Sequence, residues 1–229
     1  MPFIAENPPE WNTLLANQAK PRTGLHVTDC LGCPRRRAGL AEGWPVDLAK
    51  LESRLMGTIL HGALATISPE TAEIAVAGTL FGHQIVGSVD RMGTDDDGFP
   101  FTCDYKTSEG GAPLPDAPYQ DQVWQQEAYR RLLWLDDKPT AGWWIYYRRG
   151  GKWSKFEHIG AVWNEKALGE FRPHEGAFTT RELAGQCASN TPAASLPLVG
   201  ATQKMGKGTS CEYCEVQAAC DAAGMEIEL

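Results

Sequence analysis

The sequence lacks an apolar run of the ~18 residues that a bilayer-spanning helix needs. It also lacks a basic flank followed by an apolar stretch near Met1, so we expect no signal peptide, no membrane association and a cytoplasmic location. The 24 Gly and 15 Pro among 229 residues are too few for a collagen-like or low-complexity chain. We therefore expect a single folded domain over residues 1–229.

An excess of positive charge is also missing, because 21 Lys and Arg stand against 29 Asp and Glu, a net charge of −8. This balance excludes a broadly basic nucleic-acid-binding surface, so any such contact must be local. Two short basic clusters are candidates for phosphate contacts, Arg35–Arg37 and Arg148–Arg149 with Lys152, although such runs are also common on ordinary solvated faces. No G-xxxx-GK-[ST] motif is present, so ATP-driven unwinding would require a partner protein.

Hydrophobic spacing and turn residues predict alternating helices and hairpins. The expected order is a helix over 46–67, a hairpin over 84–106, a loop over 108–118, a helix over 120–135, a hairpin over 143–159, helical segments over 163–183 interrupted by Pro173, and a connector over 191–208. This order predicts an α/β (α+β) domain with a mixed central sheet flanked by helices.

The first hairpin contains a candidate metal site. Asp104 and Lys106 are two residues apart on a strand and share one face, whereas Tyr105 projects to the other. A turn near Asp97 would place Asp90 opposite Asp104, close enough for two carboxylates to bind one divalent cation. On these residues alone, surface salt bridges are the favoured interpretation.

Four short motifs occur in a defined order along the chain: GTILH at 57–61, GSVDR at 87–91, DYK at 104–106 and QQEAY at 125–129. Together they resemble the RecB-like nucleases of the PD-(D/E)XK superfamily. The resemblance implies a restriction-endonuclease-like core, with the catalytic core over 57–160.

The resemblance also implies roles for the motif residues. Lys106 would orient or deprotonate the attacking water, Gln125 would position Lys106 or a phosphate, and Tyr129 would contact DNA. Gln122 and Gln126 are alternatives to Gln125, but the i, i+4 spacing to Tyr129 favours Gln125. Mg²⁺ or Mn²⁺, with Mn²⁺ favoured by an imidazole ligand, would be bound by His61, Asp90, Asp104 and the Tyr105 carbonyl oxygen.

Seven cysteines in a chain without a secretion signal favour metal binding over disulfides. Cys211, Cys214 and Cys220 form a C-x2-C-x5-C cluster that leaves a fourth position to be filled, and Cys33 is the best candidate. The tail and the Cys33-Pro34 pair resemble the iron–sulfur nucleases of the AddB-type and CRISPR-associated exonucleases, which implies a 4Fe-4S cluster joining residues 30–33 to 209–220. The alternative is Zn²⁺ bound by Cys30, Cys33, Cys211 and Cys214.

These features together predict a metal-dependent DNA exonuclease that acts on single-stranded or end-exposed DNA. Its context would be recombination, repair, or CRISPR or phage DNA processing, with a possible helicase, recombination or CRISPR partner protein. The alternative is a non-catalytic, zinc-stapled DNA-binding or assembly module that retains the nuclease fold.

Overall fold

The structure is a computed structural model, and it describes residues 9–107, 113–149, 151–173, 178–196 and 214–225. Within these ranges the α-helices are α1 (Pro9–Gln18), α2 (Pro34–Ala41), α3 (Glu52–Ala65), α4 (Gln120–Leu135), α5 (Glu165–Glu170), α6 (Thr180–Ala188) and α7 (Gln217–Met225). The strands are β1 (Leu25–His26), β2 (Ala72–Leu80), β3 (His83–Thr94), β4 (Pro100–Thr107), β5 (Gly142–Arg149) and β6 (Lys152–Ile159). Short 3-10 helices cover Val27–Leu31, Leu48–Leu51 and Ala193–Ser195.

The described strands form one sheet in the order β1-β3-β4-β5-β6, and β2 also pairs with β3. The sheet is mixed: β1 runs parallel to β3 and β4 runs parallel to β5, whereas the remaining pairs are antiparallel. The expected α/β architecture with a mixed sheet flanked by helices is confirmed. Both predicted hairpins form, as β3–β4 and β5–β6.

Helix α4 connects the parallel strands β4 and β5 and packs on one face of the sheet. Its apolar stripe of Trp124, Ala128 and Leu132 is fully buried in the main core, at the four-residue spacing of one helix face. A fully buried ion pair between Glu127 and Arg130 lies on the same helix at 2.8 Å. This packing fixes the helix that presents the 125–129 motif.

Strand β2 was not predicted, because its connection to β3 does not use a typical turn sequence. The two strands are joined by Phe81 and Gly82, with φ of 56° and 81°. Two positive φ values are the signature of a type I′ turn, which normally recruits Asn-Gly or Asp-Gly. Because Phe81 occupies the first position of this turn, the sequence does not indicate a hairpin here.

Several predicted boundaries also change. The helix expected over 46–67 begins as the 3-10 helix Leu48–Leu51 and continues as α3 to Ala65. The 163–183 region forms α5 and α6 on either side of Pro173, whereas α1, α2 and α7 were not predicted. The loop over 108–118 and the connector over 191–208 lie partly outside the described residues. No helix in the described ranges is both long and apolar enough to cross a membrane.

Candidate active site

The β3–β4 hairpin brings Asp90 and Asp104 together, as their distances from the turn predict. Arg91 pairs with Cys103, which places the preceding Asp90 beside Asp104 on the neighbouring strand. Asp90 Oδ2 accepts a hydrogen bond from the backbone N–H of Tyr105 at 2.8 Å. Burial, and then the neighbouring Asp104 carboxylate, raise the pKa of Asp90 to about 7.

His61 reaches this hairpin from helix α3. Its Nε2 atom lies 2.8 Å from the Tyr105 carbonyl oxygen, and its Nδ1 atom lies 3.6 Å from Asp90 Oδ1. Because a carbonyl can only accept, the hydrogen bond requires the proton on Nε2. The other ring nitrogen, Nδ1, then faces the Asp90 carboxylate and is available as a metal ligand.

Glu73 lies next to His61 and Asp90, although none of the sequence motifs includes it. Among the described residues, His61, Glu73 and Asp90 offer ligand atoms that all lie within 4.8 Å of one another. Glu73 lies on β2 with φ of 50°, and its carboxylate accepts a hydrogen bond from Ser88 at 2.8 Å. No sequence motif indicates Glu73 as a ligand, because only the pairing of β2 with β3 brings this residue to the site.

The chemistry of this group fits Mg²⁺ or Mn²⁺. Two carboxylates and one imidazole are hard or borderline ligands that suit either ion. A small cavity of about 40 Å³ lies beside them, lined in part by His61, Asp90, Arg91 and Tyr105. The Tyr105 carbonyl oxygen, also an expected metal ligand, accepts the His61 hydrogen bond, the orienting contact typical of metal-binding histidines.

Asp104, Lys106, Gln125 and Tyr129 form a continuous polar chain on the α4 side of the sheet. The Lys106 Nζ atom lies 2.9 Å from Asp104 and 3.2 Å from Gln125 Oε1. Gln125 Nε2 in turn donates to the Tyr129 hydroxyl at 2.9 Å. Burial would lower the pKa of Lys106, but the Asp104 and Asp90 carboxylates outweigh it and raise that pKa. Asp104 is turned toward Lys106 and lies outside the His61–Glu73–Asp90 group.

Tyr129 does not lie where a direct DNA contact requires. Its side chain is 4% exposed and belongs to the main hydrophobic core. Burial raises its pKa to about 12. Gln125 has the contacts expected of a residue that positions Lys106, and the Tyr129 hydroxyl orients Gln125 by accepting its hydrogen bond.

Most of the chain is similar to a known protein family. Residues 34–221 match the family described as the PD-(D/E)XK nuclease superfamily. The chain belongs to the PD-(D/E)XK nuclease superfamily. Both motif strands, the 57–61 motif and the 125–129 motif fall inside the matched region.

Fifteen chains of solved structures match this PD-(D/E)XK protein. One is "Crystal structure of SSO0001", with a TM-score of 0.57 and 19% identity, covering 93% of this chain and 94% of that chain. At this identity the similarity shows the fold alone. No curated protein matches the sequence.

The cysteines of this PD-(D/E)XK chain lie in two different environments. Cys33 is the residue before α2, and Cys33, Cys214 and Cys220 line one cavity. Arg35 also lies near this cavity, with its Nη1 atom 4.0 Å from Cys220 Sγ. Cys211 lies outside the described residues.

Cys30 is separated from this cavity, although it is only three residues from Cys33. Its side chain is fully buried in the main core, and its thiol faces the His26 carbonyl oxygen at 3.8 Å. Burial, with a further contribution from Cys187, raises its pKa well above the usual range. This position disfavours Cys30 as a ligand in the proposed zinc alternative.

The three side chains of the Arg35–Arg37 cluster make contacts within the protein. Arg35 donates to the Leu196 carbonyl oxygen at 2.8 Å, and Arg36 pairs with Glu215. Arg37 donates to Asp29 at 2.6 Å. These contacts stabilise the packing of α2 against its neighbours.

The cavity that contains the cysteines also extends to the polar chain. Its volume is about 1160 Å³, and its lining includes Lys106, Gln125, Arg54, Arg36 and Cys33. Small-molecule pockets are typically about 300–1,000 Å³, so this space is large for a metabolite. It connects Lys106 with Cys33, Cys214 and Cys220.

Proposed function

We propose that this protein is a RecB-like, metal-dependent DNA exonuclease that hydrolyses phosphodiester bonds of single-stranded or end-exposed DNA. The observation that supports it best is the His61–Glu73–Asp90 group beside the Asp104–Lys106–Gln125 chain. A ligand set for a divalent cation next to a fixed ammonium is the arrangement that phosphodiester hydrolysis needs.

The proposed metal ligands are His61 Nδ1 and the carboxylates of Glu73 and Asp90, with Asp104 contributing on the Lys106 side. When bound, Mg²⁺ or Mn²⁺ would lower the pKa of a water molecule and neutralise phosphate charge. His61 is oriented by the Tyr105 carbonyl oxygen, and Asp90 by the Tyr105 backbone N–H. The backbone of one residue thus fixes two ligands.

Lys106 is the proposed electrostatic partner of the scissile phosphate. Its ammonium is held between Asp104 and Gln125, so it faces the site in a fixed direction. A preoriented cation stabilises the negative charge that develops in the transition state without reorganisation. Gln125 and, behind it, Tyr129 are positioning residues, since they act through Lys106.

The preference for ends or single strands is supported by the large cavity that extends away from Lys106. Arg36 and Arg54 in its lining both form ion pairs with Glu215, so the cavity is polar but not strongly basic. We propose residues 57–160 as the catalytic core of a single domain. With no nucleotide-binding motif in the sequence, duplex unwinding would come from a helicase or a recombination or CRISPR partner.

The cysteine site is proposed to hold a 4Fe-4S cluster through Cys33, Cys211, Cys214 and Cys220. Zinc binds thiolates at about 2.3 Å, so four zinc ligands would bring their sulfurs within about 4 Å of one another. In the described part of the chain, no cysteine belongs to a group of potential ligands within 4.8 Å. A cluster spreads its thiolates over several irons, so it does not require the close thiolate packing of a zinc site.

Digestion of end-labelled linear DNA and of circular DNA tests this proposal. We expect Mn²⁺, and more weakly Mg²⁺, to support degradation of linear single strands while closed circles persist. Degradation of circles at the same rate would replace the exonuclease with an endonuclease. Binding of DNA without any cleavage would favour the alternative, a non-catalytic binding or assembly module.

A further inference from the structure

The face of the sheet opposite α4 has an unusual aromatic surface. Tyr105 on β4 stacks on Tyr146 on β5, with ring centroids 5.4 Å apart, and Trp153 on β6 meets Tyr105 edge-on at 6.5 Å. We refer to Tyr105, Tyr146 and Trp153, with Arg91 and Lys155, as the aromatic face.

Strand register explains why these residues share one side. Tyr105 pairs with Tyr146, and Tyr146 pairs with Lys155 across the next antiparallel pair. Trp153 pairs with Arg148 two residues along the same strands. Because paired residues project to the same side and the period along a strand is two, three strands contribute to one continuous surface.

The aromatic face is accessible to solvent. Trp153 is 47% exposed, and Tyr105 and Tyr146 are half-buried. Exposed aromatic rings grouped in one patch are uncommon on a protein surface and generally mark a binding site.

Positive charge surrounds these rings although the whole chain is acidic. Arg91 pairs with Cys103, which lies two residues before Tyr105 on the same side of the sheet. The Lys155 Nζ atom lies 4.2 Å from the centroid of the Trp144 ring. Arg148 is exposed on the same side, and Glu157 is the acidic neighbour, 3.0 Å from Lys155. Aromatic rings among cations complement the bases and phosphates of a single strand.

The aromatic face adjoins the proposed metal ligands through Tyr105 itself. The Tyr105 backbone contacts His61 and Asp90, while its ring belongs to the aromatic face. The small cavity beside the metal ligands is also lined by Arg91 and Tyr105. A strand lying on the rings would therefore place an adjacent phosphate near the metal ligands.

We propose that the aromatic face binds unpaired bases of single-stranded DNA next to the scissile phosphate, with Trp153 as the main stacking residue. This inference rests on the proposed nuclease function for the identity of the strand. It adds a binding surface that the four sequence motifs do not predict, since Tyr105 is its only aromatic residue that lies in a motif.

The test is the affinity of full-length protein for a fluorescein-labelled oligothymidine, measured by fluorescence anisotropy in EDTA, where cleavage is suppressed. Trp153→Ala should weaken binding roughly 5- to 150-fold, the effect of losing one base–aromatic stack. Trp153→Phe should retain most of the affinity. An abasic strand of equal length should bind wild type and Trp153→Ala equally weakly.

Trp134 provides a matched control. It is 49% exposed and also lies against a cation, the Arg131 guanidinium at 4.4 Å, but it belongs to the end of α4. Trp134→Ala should therefore leave the affinity unchanged. Both variants should melt near the wild-type temperature, because neither ring is buried.

The outcomes separate this inference from the nuclease proposal. Equal affinities for Trp153→Ala and Trp134→Ala, in a protein that still degrades DNA, would overturn the aromatic face and leave the nuclease intact. A selective loss with Trp153→Ala in a protein that cleaves no DNA would uphold the aromatic face and overturn the nuclease. If the abasic strand bound the wild type as tightly as oligothymidine does, the proposed role of the aromatic face would also be overturned, because stacking requires bases.

Discussion

The Nε2 atom of His61 lies 2.8 Å from the backbone carbonyl oxygen of Tyr105. This contact directs the opposite ring nitrogen toward Asp90, so a backbone group of the β4 strand sets which histidine nitrogen can bind a metal. The position of Glu73 completes the set of three potential ligands. The proposed metal site thus depends on β2 as much as on the two motif strands.

Glu73 gives the first prediction. Glu73→Gln removes one anionic ligand, so we expect Mn²⁺ affinity to fall at least about tenfold by isothermal titration calorimetry. Glu52→Gln is the control, because Glu52 is an exposed residue in the first turn of α3. Equal Mn²⁺ affinity in the two variants would remove Glu73 from the site.

Tyr129 distinguishes a positioning role from a DNA contact. Tyr129→Phe deletes the hydroxyl that accepts the Gln125 hydrogen bond while preserving the buried ring. We expect about a tenfold lower kcat with an unchanged KM for DNA, because Lys106 loses its orientation and no DNA contact is removed. A raised KM with normal kcat would instead restore the original expectation that Tyr129 touches DNA.

Cys30 and Cys33 should differ in reactivity. After chelation of metal, iodoacetamide at pH 8 should modify Cys33 faster than Cys30, because Cys30 is fully buried and burial raises the pKa of its thiol. Mass spectrometry of peptides measures both rates.

The same two cysteines should also differ in their effect on the proposed cluster. Cys30→Ala should keep the brown colour and iron of anaerobically purified protein, whereas Cys33→Ala should lose them. Colourless wild-type protein with stoichiometric zinc would contradict the cluster.

Glu215 anchors the segment before α7. It is 3% exposed, and it pairs with Arg36 and with Arg54 at 3.3 Å. Glu215→Gln leaves these partly exposed guanidinium groups without their counter-charge and should lower the free energy of unfolding by about 1–3 kcal/mol in urea titrations. Lys138→Gln, which breaks an exposed pair with Asp136, should change it little. Similar losses in both variants would show that the buried pair has no special role.

The motifs identified most of the candidate site because they lie on strands and a helix whose periods are visible in the sequence. Asp90 and Asp104 are equidistant from an Asp-Gly turn, so their proximity follows from hairpin geometry. Gln125 and Tyr129 are one helical turn apart and hydrogen-bond as that spacing allows.

Glu73 and the aromatic face could not be predicted, because both depend on pairings between distant strands. Glu73 reaches the site through a hairpin whose Phe81-Gly82 turn lacks the usual residues. Tyr105, Tyr146 and Trp153 meet only because β4 and β5 pair in parallel across the α4 crossover. The different environments of Cys30 and Cys33 are likewise decided by packing, since the sequence spacing suits both as ligands.

The central claim is that Lys106 and its neighbours form a metal-dependent phosphodiesterase site. Its most direct measurement is the rate of degradation of end-labelled single-stranded DNA by anaerobically purified wild type and Lys106→Ala, each in Mn²⁺ and in EDTA. We expect wild type to degrade DNA only with Mn²⁺ and Lys106→Ala to be at least about 10²-fold slower. Full activity of wild type in EDTA, or wild-type rates in Lys106→Ala, would contradict the account.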